Sequence, residues 1–193
     1  MARILKLALL SLIFNTAFAI YYLVFGISSG SWWLLTLGSY YLILSAVRFF
    51  VIRTKKAAFA ARLTGIMLIL LSVPLASTVI LAVIGDRGTK FHMIVMIAIA
   101  TYAFTKITIA SINLVRSRRS NSGTVITLRN IAFADALVSI FALQRSMLVS
   151  FEGMSASEIR IMNAALGSAV CILVFLLGVN LLRRKKFFDS LQK

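Results

Sequence analysis

Six stretches of this chain, roughly 4–25, 31–52, 63–84, 91–115, 127–150 and 158–182, are mostly apolar and near the length needed to cross a bilayer. That single feature sets the solvent. In hydrocarbon there is no water to bond free amides, so each stretch must satisfy its own backbone, and a helix does this within one segment. A β-barrel would need alternating apolar and polar residues, which these continuous runs lack. Composition agrees: 61% of residues are hydrophobic and 13% charged, against about 45–50% and about 25% in a soluble domain. A soluble enzyme, a disordered tail and a disulfide scaffold are excluded. The expected fold is an all-α integral membrane protein, one domain over 1–193 with six transmembrane helices.

The beginning of the chain has two readings. Basic Met1–Lys6, apolar Leu7–Phe14 and the small-residue triplet Ala17-Phe18-Ala19 suit a signal peptide. The apolar run continues through Ile20–Phe25 to spanning length, which favours a retained first helix.

Charge sets the expected orientation. Of 21 Lys and Arg residues, sixteen fall on one side of this map, among them Arg48. Arg87, Lys90 and Arg160 fall on the other side, and Lys106 and Arg145 inside helices. Short loops rich in Lys and Arg stay in the cytoplasm, so both termini are expected there. The compact loops suggest a bacterial cytoplasmic membrane. A net charge of +16 would suggest nucleic acid in a soluble protein, but here topology accounts for it and no nucleic-acid partner is expected. Three basic clusters end the even-numbered helices: Arg53, Lys55 and Lys56; Arg116, Arg118 and Arg119; and Arg183, Arg184, Lys185 and Lys186. They are expected to meet anionic lipid headgroups on the cytoplasmic side. Trp32-Trp33 is expected at the opposite interface, where amphipathic rings prefer to sit.

The clusters recur at a spacing a little over 60 residues, which suggests three tandem antiparallel hairpins of about 1–56, 57–119 and 120–186. Each unit starts and ends on the same side, so a pseudo-threefold bundle is the natural arrangement. Small residues four apart, Ala165/Ala169 and Gly167/Cys171, predict close helix approach, and Pro74 interrupts the third helix. In layout alone, three hairpins in a chain of this length resemble the HdeD-like acid-resistance membrane proteins. Energy-coupling-factor substrate-binding subunits also have about six helices. No shared motif accompanies either resemblance, and no residue role follows from them.

The chemistry must come from few residues. One His and one Cys build no metal site alone, and no H-E-x-x-H, C-x-x-C, G-x-S-x-G or phosphate-binding glycine loop is present. Neither a cofactor nor an enzymatic activity is expected. Cys171 reads as a packing residue, and His92 as a wetted boundary residue.

Ionisable residues inside the hydrocarbon are the sharpest signal, because each costs about 2.5–3.5 kcal/mol on insertion scales. Lys106 lies about 15 Å in from the cytoplasmic end of helix four, counted from Arg116. Asp135 lies about 9 Å in on helix five, counted from Arg129. The depths differ by about one turn, so a buried Lys106–Asp135 pair is expected. Arg145 lies about 15 Å beyond Asp135, toward Glu152 or Glu158. Asn15, Asn130, Gln144, Asn163 and Asn180 add polar atoms in or near the helices. Arg48 is expected to snorkel to the inner surface. Such groups pin helices in register, or line a route for a small polar or charged solute. The functional expectation is therefore a channel or transporter, with a non-transporting accessory or assembly subunit as the alternative. A homo-oligomer or a membrane partner suits both.

Overall fold

The computed structural model describes residues 2–54, 56–84, 93–117, 122–150 and 154–183. They form α1 (Ala2–Ser29), α2 (Trp32–Arg53), α3 (Ala57–Ile84), α4 (Met93–Ser117), α5 (Gly123–Ser150) and α6 (Ala156–Arg183). Each helix carries a segment long and apolar enough to cross a membrane, and no strand occurs among the described residues. The chain is a polytopic helical membrane protein. Lys55, Arg118, Arg119, Arg184, Lys185, Lys186, His92 and Glu152 lie outside the described residues.

Two helices begin earlier than expected: α3 at Ala57 rather than 63, and α5 at Gly123 rather than 127. The apolar run marks the hydrocarbon, whereas helical geometry continues into the headgroup layer, where charges such as exposed Arg62 are solvated. Local signals set the ends. Gly30, at φ 63°, adopts the left-handed conformation that closes α1, and Ser31 N bonds Gly26 O at 3.0 Å. Ser155 and Glu158 form a reciprocal capping box at α6: the Ser155 amide donates to Glu158 Oε2 (2.8 Å) and the Glu158 amide to Ser155 Oγ (3.3 Å). α3 runs unbroken through Pro74, which forfeits one backbone bond.

The packing order departs from three tandem hairpins. α1 packs on α2 and α5 on α6, as hairpins require, but α3 and α4 have at most a marginal contact. α3 lies instead along α6, the most extensive helix pairing among the described residues, and α4 lies along α5. The reason is local shape. A Cβ added to Gly65 would sit 2.9 Å from Gly178 O, and one added to Gly178 would sit 2.8 Å from Gly65 O. The bare backbones therefore touch, and α3 finds in α6 a partner that α4 cannot match. Cys171 Sγ donates to Ser72 O across the same seam at 3.2 Å. Gly167 faces Val79 of α3 and Phe141 of α5, so its lack of a side chain serves close approach, as its spacing predicts.

A different regularity emerges. Pairings α1–α2 and α2–α3 have counterparts α4–α5 and α5–α6, and the two halves meet along α3–α6 and α2–α5. The α3–α5 contact has no counterpart of similar extent. α5 is central, with 72% of its segment buried, while α4 is peripheral, with 11% buried.

Candidate functional site

A polar cluster sits between α1, α2, α4 and α5. Each helix contributes residues spaced four or seven apart, which places them on one helical face. These are Ser11 and Asn15 on α1, Tyr41 and Arg48 on α2, Tyr102 and Lys106 on α4, and Asp135 and Ser139 on α5. Lys106, Asp135 and Asn15 lie more than about 15 Å from either end of their helices. These three residues are therefore near the middle of their helices.

Asp135 is its centre and is fully buried. Its Oδ1 accepts from Lys106 Nζ at 2.7 Å, and its Oδ2 accepts from Asn15 Nδ2 at 2.5 Å and Arg48 Nη2 at 3.3 Å. Lys106 directs its ammonium at three acceptors: Asp135, Asn15 Oδ1 (3.1 Å) and Ser139 Oγ (2.9 Å). Its charge also lies over the rings of Tyr41 and Tyr102, at 5.3 and 5.2 Å from their centroids. Ser139 in turn bonds Asp135 O (2.8 Å) and shares a hydrogen bond with the Tyr41 hydroxyl (3.0 Å). Arg48 Nη1 donates to Ser11 Oγ. An Asp left alone here would be badly stranded, and these charge-assisted bonds offset its desolvation.

Beside Lys106 lies a cavity of about 20 Å³, lined by Asn15, Phe18, Tyr22, Tyr41, Tyr102 and Ser139, with Ile99 and Ala103 closing one wall. Its walls are stiffened by ring stacking, Phe18 on Tyr102 at 4.9 Å and Tyr22 on Tyr41 at 5.9 Å. About 10–15 Å³ is needed to hold one water, so the space suits a single small body.

The structure thus brings together Lys106, Asp135 and Asn15 of the residues singled out in the sequence. Others fall elsewhere. Arg48 does not snorkel: its side chain is 2% exposed and turned inward to Asp135, because Asp135 and Ser11 offer closer oxygens than the headgroups do. Arg145 is buried, with its guanidinium 4.7 Å above the ring of Trp33. It does not meet Glu158, whose carboxylate is held by Ser155 in the α6 cap. Trp33 is accordingly a core residue, and only Trp32, 72% exposed, faces outward. Gln144 donates to Met162 O (2.9 Å) and ties α5 to α6. Asn130 bonds the carbonyl of Ile126 in its own helix. Asn163 is buried. Asn180 is exposed, in an outer groove with Phe133, Leu173 and Arg183. Arg53, Lys56, Arg116 and Arg183 are exposed, so their charges remain available to headgroups or water.

No family model, curated protein or solved structure matches this chain. Among the described residues no group of three His, Cys, Asp or Glu converges on a metal-sized space. What the cluster offers is charge, hydroxyls and a small void at mid-depth. Sequence reasoning missed Ser11, Tyr41, Arg48, Tyr102 and Ser139. Spacing held a signal for most of them: Ser11/Asn15, Tyr102/Lys106 and Asp135/Ser139 are polar pairs four residues apart in otherwise apolar helices.

Proposed function

We propose that this protein is a channel or transporter for a small charged solute, with the Asp135–Lys106–Arg48 cluster as its central site. The observation that carries the reading is the cluster itself. Three ionisable side chains at bilayer depth cost more than packing requires, and such groups mark solute or ion pathways by default. The layout supports it. Four of the eight cluster residues come from α1–α2 and four from α4–α5, so the site lies between two halves with matching helix pairings. Three crossings per half would give the halves opposite directions. Sites at the mid-membrane junction of inverted halves suit alternating access, in which one half rocks against the other.

Both termini are assigned to the cytoplasm on the excess of basic residues in the connections on that side. A bacterial cytoplasmic membrane fits the short connections. The test is solute flux in proteoliposomes with Lys106→Ala and Asp135→Ala. We expect each variant to lose most of the flux, and unchanged flux in both removes the site from any pathway.

A second reading is a non-transporting subunit of a larger membrane complex. The observation favouring it is α4, whose segment is only 11% buried and could seat a neighbouring helix. Purification in mild detergent separates the two: a stoichiometric companion chain favours the subunit, and an active lone chain favours the transporter.

A further inference from the structure

We propose that the cavity beside Lys106 binds a small monatomic anion, of fluoride or chloride size. This deepens the transport reading by naming the ion class its site would hold, although binding can be measured without flux.

Asp135 and Glu158 are the only acids among the described residues, and Glu158 is held at the α6 cap. At the cluster, Arg48 and Lys106 face a single carboxylate. Arg48 stays protonated in proteins, so with Lys106 charged the site holds one excess positive charge. An uncompensated buried charge costs several kcal/mol. A bound monovalent anion would bring the site to neutrality.

Geometry indicates where it would sit. Lys106 lines the cavity, as do the side chains of Tyr22, Tyr41 and Tyr102. The Tyr41 hydroxyl is engaged by Ser139. The hydroxyls of Tyr22 and Tyr102 make no hydrogen bond within the described residues, although Tyr22 is only 6% exposed. Two cavity-lining tyrosines whose hydroxyls carry O–H donors, next to a cation, suit an anion better than a cation. Asp135 does not line the cavity, and its carboxylate already accepts from Lys106, Asn15 and Arg48. It therefore does not compete for those hydroxyls. The space of about 20 Å³ suits a single small body, as a monatomic anion is.

The experiment is thermal unfolding of the purified full chain in detergent, at constant ionic strength. Sodium gluconate serves as reference, with fluoride, chloride, bromide and iodide as probes. Wild-type protein should be stabilised saturably by fluoride or chloride, by several degrees over gluconate, with iodide, the largest of the four, weaker. Tyr102→Phe should raise the half-saturating halide concentration at least about fivefold, the loss of one hydrogen bond to a charged group. Lys106→Gln should abolish the halide response. A response that follows the general salt series and is the same in wild type and both variants overturns the proposal. So does a folded wild type with no halide response. If Lys106→Gln fails to fold, Tyr102→Phe decides. Halide binding without flux would keep this inference and remove the transport reading. Flux of another solute, insensitive to halide, would do the reverse.

Discussion

The bundle is held by two unlike regions. Along α3–α6 the contact is mostly apolar: Gly65 and Gly178 bring two backbones together, and among the described residues the polar link is a thiol donating to the Ser72 carbonyl. Between α1, α2, α4 and α5 the contact is polar: a single carboxylate gathers side chains from three other helices. Lipid is as apolar as Leu, so neither region gains from excluding oil, and each needs something else. The first uses close van der Waals approach. The second uses hydrogen bonds that have no substitute in hydrocarbon. The difference teaches that α4, poorly buried as it is, needs Lys106 to hold its register, whereas α3 needs only an absence of side chains.

The strongest challenge to this contrast is Asp135→Ala. It strands Arg48 and Lys106 together and should cost about 3–5 kcal/mol in a reversible unfolding titration. Restoring more than half of that loss by adding Lys106→Met and Arg48→Met would show that charge, not shape, was at stake. A loss below about 1 kcal/mol would mean that the polar region is not a fastener at all.

The apolar seam is probed by Gly65→Leu or Gly178→Leu, each of which drives a side chain into a facing carbonyl and should destabilise by about 1–3 kcal/mol or more. The same change at Gly30, where no atom lies within 4 Å, meets only the strain of its positive φ and should cost less. Equal losses at Gly65 and Gly30 would argue against backbone contact as the source of α3–α6 packing.

Trp33→Leu should cost about 2 kcal/mol by removing the ring under the Arg145 guanidinium, and Arg145→Met made in that background should then cost less than it does alone. Strict additivity in that cycle would sever the pair. The smallest effect belongs to Cys171→Ala, about 1 kcal/mol or less, because a thiol is a weak donor and Ala keeps the seam narrow. A larger loss would make the seam's polar link more than incidental.

The mid-helix ionisable residues Lys106 and Asp135 were legible because lipid makes such groups conspicuous, and antiparallel depth placed Lys106 near Asp135. Arg48 was not legible. It is five residues from exposed Arg53, and a one-dimensional reading assigns both to the same interface. Only the rotation of α2, which turns one Arg inward and leaves the other outside, separates them. Trp32 and Trp33 repeat the lesson within two residues, one 72% and the other 2% exposed.

By itself the sequence determined the six helices, their approximate ends and the membrane they need, because spanning length and backbone satisfaction are properties of each segment taken alone. Which helix packs on which was decided only in three dimensions. Hydropathy is nearly uniform around these helices, so nothing in the period selects a partner. The choice rests on a few point contacts, two facing glycines and one shared carboxylate, whose meeting depends on rotations and heights that no single segment encodes.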